Sequence, residues 1–158
     1  MVFFLKKSCT FQKVSVPLHR KSTKMFKEYE SFNHAKTHIR YHVIFSTKYR
    51  RHCLDDIKED LFGCFNDIAS HSHFKILRAG VDGDHVHLLV KSCPTFSIYQ
   101  IVRRLKQVST RRMWKSHEDY LRKYYWGKCR KLWTNGYFCS TIGEMSEETV
   151  RKYIENQG

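Results

Sequence analysis

The sequence predicts an α+β domain of the ferredoxin-like kind, a βαββαβ antiparallel sheet followed by an extra C-terminal helix. Two periodicities and their order carry this expectation. Residues 39–46, 74–81, 85–90 and 137–142 form short apolar or alternating runs, whereas 55–71 and 97–114 repeat apolar residues three and four apart. Strand, helix, two strands, helix, strand is the split βαβ order, which leaves one sheet face free to bind.

Each element has its own signal. IRYHVIFS (39–46) places Ile39, Tyr41, Val43 and Phe45 on one face of a strand. DDIKEDLFGCFNDIASH (55–71) spaces Ile57, Leu61, Cys64, Phe65 and Ile68 helically, with acids in the first turn where the helix dipole favours them. FKILRAGV (74–81) and HVHLLV (85–90) flank DGD, a turn signal, and so read as a hairpin. SIYQIVRRLKQVSTRRMW (97–114) opens with Ser97 and Gln100 at capping-box spacing. Its apolar face is Ile98, Ile101, Val102, Leu105 and Val108. KLWTNGYFCSTI supplies an Asn-Gly turn and the last strand, 137–142. Ser146, followed by Glu147 and Glu148, caps the final helix, EETVRKYIENQ.

Charge narrows the partner. The 158 residues carry 29 Lys and Arg against 15 Asp and Glu, a net +14, which points to a polyanion, first of all nucleic acid. Residues 1–24 hold six basic residues and no acid, without helical or strand period, and read as an unstructured basic arm or as lying upstream of a start at Met25. Residues 25–158 read as one domain. Residues 103–131 hold eleven Lys or Arg against Glu118 and Asp119. Arg103, Arg104, Lys106, Arg111 and Arg112 are the candidates for gripping DNA, and Trp114, Tyr120, Tyr124, Tyr125 and Trp126 are interleaved with that charge, a mixture suited to single strands. The bland alternative is a solvated basic surface.

The six cysteines, at 9, 53, 64, 93, 129 and 139, include no CxxC pair and sit in apolar contexts, as buried thiols of a reduced cytoplasmic protein would. No run approaches the roughly 18 to 20 apolar residues of a membrane span, and MVFFLKK has its charges on the wrong side for a secretory signal.

The sequence holds two HxH pairs. His71 and His73 straddle a helix end among serines and read as exposed polar residues. His85 and His87 sit in DHVHLLV, where a strand turns both imidazoles to one side while Val86, Leu88 and Val90 face the other. Such a pair can hold a divalent ion and leave positions open for a substrate phosphate, but a metal needs at least one more protein ligand. In the last helix Tyr153 and Gln157 are four apart and share a face; taken alone they read as a buried tyrosine and a surface glutamine.

DHVHLLV, a basic helix of the LKQVSTRRMW kind, KLWTNGYFCST and SEETVRKYIENQ, in this order, resemble the single-tyrosine transposases of the HUH superfamily, the TnpA type of the IS-two-hundred group of bacterial insertion sequences. The resemblance covers about residues 27–157. It implies that His85 and His87 bind a divalent metal, Mg²⁺ or Mn²⁺, that Gln157 completes the ligand set, and that Tyr153 is the nucleophile. It further implies cleavage and rejoining of single-stranded DNA at hairpin-marked ends through a 5′-phosphotyrosine, by a homodimer whose tyrosine helix acts in trans, in the cytoplasm and at the nucleoid when DNA is bound. Gln157 is the penultimate residue, where a helix's last carbonyls lack partners, so that ligand is expected to be loosely held. Two rival readings remain: a repeat-associated relative domesticated for host hairpins, and a non-catalytic single-strand-binding module on the same sheet.

Overall fold

A computed structural model describes residues 30–32, 35–128 and 130–143. Strands β1 (Glu30–Phe32) and β2 (Ala35–Thr37) pair as a small antiparallel ribbon of their own. Three-residue strands are too short to show a period, so the sequence gives no sign of them. The main sheet is built from β3 (Ile39–Ser46), β4 (Lys75–Asp82), β5 (His85–Ser92) and β6 (Phe138–Thr141) in the order β4-β5-β3-β6, with every neighbour antiparallel. This is the ferredoxin-like order expected from βαββαβ. The expected final helix, residues 146–157, and the expected basic arm, residues 1–24, lie outside the described residues.

Helix α1 (Lys58–Ser70) follows one 3-10 turn at Asp55–Ile57, and α2 (Ile98–Ser116) is the longer helix, followed by the short α3 (Glu118–Leu121). The capping box forms as the sequence suggests. Gln100 N–H donates to Ser97 Oγ at 3.3 Å, and Ser97 N–H donates to Gln100 Oε1 at 2.9 Å. Exchanging those two bonds satisfies donors that an open helix start would leave to water.

Alternation along the central strands decides what is core. Val43 and Phe45 of β3 and Val86, Leu88 and Val90 of β5 meet Leu61, Phe65 and Ile68 of α1 and Ile101, Val102 and Leu105 of α2, and all are buried. Phe45 sits at the centre, edge-on to Phe65 at 6.2 Å and to Trp133 at 4.7 Å. The opposite sheet face carries His42, His87, Leu89 and Lys91, which are also buried, so that face is not freely open across its middle as expected; Phe138 and Ser140 at its β6 side are exposed.

The aromatic-cationic stretch after α2 requires a correction. Trp114 and Tyr125 are buried, Tyr120 and Tyr124 half-buried, and of the five rings only Trp126 stands out in solvent. The tyrosines are anchors: Tyr125 donates to Leu132 O at 3.2 Å and Tyr120 to Cys53 O at 3.2 Å, while buried Trp133 donates Nε1–H to Ser109 Oγ at 2.8 Å. A buried ring with its polar atom satisfied is core, and helical spacing cannot tell it from a stacking platform. Cys53, Cys64 and Cys93 are buried free thiols, as their apolar contexts predict, and Cys139 is half-buried. Among the described residues no helix is long and apolar enough to cross a membrane.

Candidate active site

The strand geometry places His85 and His87 as the sequence predicts. In β5 they pair with Ser46 and Ile44 of β3 and point away from Val86 and Leu88, with ring centroids 4.9 Å apart. The turn before them is fixed by Gly83, whose φ of +55° puts it in the left-handed region, and a Cβ there would run into the His52 imidazole. His71 and His73, the look-alike pair, are exposed; His71 Nδ1 lies 2.8 Å from Asp67 O at the end of α1 and belongs to the helix terminus.

Each imidazole of the β5 pair has its Nδ1 engaged. His85 Nδ1 lies 2.7 Å from Asp84 Oδ1, and His87 Nδ1 lies 3.4 Å from His42 Nε2, with those two rings stacked 5.6 Å apart. The Asp84 carboxylate can only accept, so His85 Nδ1 carries the proton and its Nε2 the lone pair, whereas donation between His87 Nδ1 and His42 Nε2 can run either way. His85 Nε2 approaches Asp82 Oδ2 at 3.8 Å, and His87 Nε2 is buried with no hydrogen-bond partner among the described residues. An orphaned buried ring nitrogen is the kind of exception that calls for a ligand.

Electrostatics agree with that role. Burial, helped by the neighbouring His85 and His42 charges, holds His87 down to about 4, so it is a neutral imidazole at neutral pH. Burial also lowers His42. Burial alone would raise the Asp84 carboxyl, but the hydrogen bond and charge of His85, with Arg50 and His52, outweigh it and leave Asp84 below the usual carboxylate range. Asp84 is thus an anion, 7% exposed, that grips His85 on one side and Arg50 Nη1 at 3.4 Å on the other.

A neutral His87 with an orphaned ring nitrogen, beside the second imidazole of His85, suits a divalent cation. Among the described residues no three His, Cys, Asp or Glu side chains converge into a metal cage. Tyr153 and Gln157, the expected nucleophile and third ligand, lie outside the described residues. Sequence reasoning missed Asp84, taken only as a turn residue, and His42. The signal for His42 was available: the alternation that puts Tyr41 and Val43 in the core puts His42 on the histidine face.

The basic residues of α2 divide into two sets. Lys106 Nζ donates to the carbonyls of Thr134, Asn135 and Gly136 at 3.0, 3.3 and 2.6 Å, Arg112 pairs with Asp67 at 2.7 Å, and Arg104 donates to His71 O at 3.2 Å. These three tie α2 to its surroundings. Arg103 and Arg111, both exposed, line a groove of about 650 Å³ between α2 and residues 131–137, with Lys106 between them and Tyr99, Lys131 and Tyr137 around it.

Comparison with known proteins agrees with this geometry. Residues 35–157 match the family described as IS200-like transposases, a span that takes in His85, His87, Tyr153 and Gln157. The chain is 33% identical over 120 residues to the ISDra2 transposase TnpA of Deinococcus radiodurans, covering 75% of this chain and 84% of that one. It is 27% identical over 129 residues to the transposase for insertion sequence element IS200 of Salmonella typhimurium, covering 81% and 82%. Among solved structures, a chain from Deinococcus radiodurans R1 assigned as a transposase superimposes with a TM-score of 0.65 at 32% identity, covering 81% of this chain and 97% of that one. A REP-associated tyrosine transposase bound to a REP hairpin shares the fold, with a TM-score of 0.53 at 13% identity over 82% of this chain and 69% of that one. A strand-borne histidine pair on this sheet order, together with a family match across most of the sequence, places the chain in the IS200-like transposase family.

Proposed function

We propose that this transposase cleaves and rejoins single-stranded DNA at hairpin-marked element ends, using Tyr153 as nucleophile and a Mg²⁺ or Mn²⁺ ion held by His85, His87 and Gln157. The observation that carries the reading is the pair of imidazoles fixed through Nδ1, with the His87 Nε2 buried and unpartnered among the described residues. A metal bound there would act as a Lewis acid on a phosphodiester oxygen.

The chain's own groups do the rest. Tyr153 Oη attacks phosphorus and loses its proton, the bond from phosphorus to the 3′ oxygen breaks, and that oxygen takes up a proton. The products are a 5′-phosphotyrosine and a free 3′-hydroxyl, and attack by a 3′-hydroxyl on the same phosphorus reverses the exchange. One phosphoester replaces another, so no nucleotide hydrolysis is required. A free tyrosine titrates near 10, so the phenol needs a cationic neighbour to be competent at neutral pH. The reading includes a homodimer whose tyrosine helix serves the partner's histidines, with Gly143 at the start of the connection that would let that helix cross over. Arg103 and Arg111 are the α2 residues whose guanidinium groups are free of the contacts that engage Arg104, Lys106 and Arg112, and they are the ones offered to phosphates.

The test is covalent. Incubation with a hairpin-bearing single strand and Mn²⁺ should give a protein–DNA adduct stable on a denaturing gel. The adduct should be absent in Tyr153→Phe and in His85→Ala with His87→Ala; an adduct in Tyr153→Phe would sink the assignment. Binding that survives the double histidine change with no adduct in the wild type would identify a binding module instead.

A further inference from the structure

The geometry points to a stacking ledge for single-stranded nucleic acid at Lys48–Arg51 and Trp126, beside the histidine pair. Ser46, the last residue of β3, lies opposite His85 in the sheet register. Thr47 N–H then donates to Asp84 O at 2.7 Å and Lys48 N–H to Leu132 O at 2.8 Å, so the chain leaves the sheet beside the residue that holds His85. It turns at once. Tyr49 and Arg50 have φ of +63° and +53°, two successive side-chain-bearing residues in the left-handed region.

That conformation is disfavoured for every residue with a Cβ, and glycine adopts it without strain. The surroundings hold it: Arg50 N–H donates to Thr47 O at 3.2 Å, Thr47 Oγ1 donates to Arg51 O at 2.8 Å, and Arg50 Nη1 reaches Asp84 Oδ2 at 3.4 Å. Strain kept in place by its neighbours clusters at functional sites. Here a large ring occupies a position where glycine would fit best, and the ring packs into no core: Tyr49 is 69% exposed.

The turn presents two cation–ring pairs, one of them with Trp126 from the segment after α3. The Lys48 ammonium sits 4.8 Å from the Tyr49 ring centre, and the Arg51 guanidinium sits 5.6 Å from the centre of Trp126, which is 80% exposed. Exposed rings among Lys and Arg match unpaired bases with their phosphates, because each base offers a face to stack and each phosphate a charge. A duplex hides its base faces. Arg50 links the ledge to Asp84 and through it to His85, so the ledge adjoins the histidine pair. The inference takes the identity of its ligand from the transposase reading, but it does not depend on the Tyr153 chemistry.

The experiment is metal-free binding of the full chain to a labelled oligothymidylate, which forms no hairpin, and to a blunt duplex, read by fluorescence anisotropy. Tyr49→Gly should weaken the single strand by about 5- to 100-fold, the range of a lost base stack. Its unfolding midpoint should stay level or rise, duplex binding should hardly change, and Tyr49→Trp should bind as wild type. Trp126→Ala should weaken the single strand as well. Unchanged single-strand affinity in Tyr49→Gly, an equal loss for the duplex, or an unfolded variant would each overturn the ledge. If the Tyr153 adduct never forms but Tyr49→Gly still loses the oligothymidylate, the cleavage reading fails and the ledge stands.

Discussion

Replacing Asp84 by Asn separates the supporting role of this carboxylate from the fold itself. Asp84 is 7% exposed, receives His85 Nδ1–H at 2.7 Å, and stands 3.4 Å from Arg50. Asn has the same shape but no charge, and its NH₂ can turn toward Nδ1 and so favour the tautomer that places the proton on Nε2, the atom the proposed metal would need. Changing a residue that orients a metal-binding histidine typically costs about 10- to 100-fold in metal affinity. The backbone bond from Thr47 N–H to Asp84 O is untouched, so the loss of stability should stay within about 1 to 3 kcal/mol, the worth of a charge-assisted hydrogen bond. Mn²⁺ titration followed by electron paramagnetic resonance, with a urea unfolding curve on the same preparation, measures both. A folded Asp84→Asn protein that binds Mn²⁺ as tightly as wild type would show that His85 needs no carboxylate to present Nε2, and the proposed metal site would lose its main support.

Other changes follow from the same contacts. His87 has a folded pKa of about 4 against 6.5 unfolded, so the fold takes up fewer protons there. The corresponding stability is fully present above about pH 6.5 and is lost as pH falls toward about 4, a difference of roughly 3 kcal/mol at one to one-and-a-half kcal/mol per pKa unit. Urea midpoints of chelator-treated protein across that window should fall, and fall less in His87→Leu. Gly83→Ala should lower the thermal midpoint through strain at positive φ and collision with His52, and should weaken Mn²⁺ binding by displacing Asp84. Ser97→Ala, which removes the cap of α2, should cost about 1 kcal/mol in urea unfolding and leave Mn²⁺ affinity alone. Arg103→Gln with Arg111→Gln should weaken single-strand binding and flatten its salt dependence by about one to two units of slope, whereas Arg112→Gln should act mainly on stability through Asp67.

The sequence was legible where one period ran long enough to fix a face. Strand 39–46 and the two long helices are found within about three residues of expectation, because Val43 and Phe45, or Leu61, Phe65 and Ile68, cannot all be buried in any other phase. The histidine pair was legible for the same reason. What failed were two inferences from composition, one on the aromatic residues and one on the basic residues of α2. Aromatic residues mixed with lysines between 114 and 133 are mostly core, and three of five arginines and lysines chosen on α2 are bound to carbonyls or Asp67. Charge counts cannot see partners supplied by a segment thirty residues away. Asp84 was hidden by a different ambiguity, since Asp in a tight turn and Asp beside a histidine are written identically. The ledge at Tyr49 was invisible because nothing in KYR announces a left-handed turn without glycine.

The alternation of β5 also explains how a small sheet supports an unsatisfied nitrogen. Leaving a polar atom buried without a partner costs about 1 to 3 kcal/mol, and His87 Nε2 is such an atom. On the other side of the same strand Val86, Leu88 and Val90 are fully buried, each contributing about 1.5 to 3 kcal/mol on removal from water. The apolar face therefore outweighs the polar defect several-fold, and a one-residue slip that relieved the nitrogen would expose all three aliphatic side chains. Register is set by the core, and the imidazoles go where the core sends them. Their Nδ1 atoms are then held by Asp84 and His42, which arrive on a turn and on the neighbouring strand that the same register aligns. What remains available is Nε2 on both rings, directed away from the apolar layer, and the exposed turn at Lys48–Arg51 leaves the sheet at that same end.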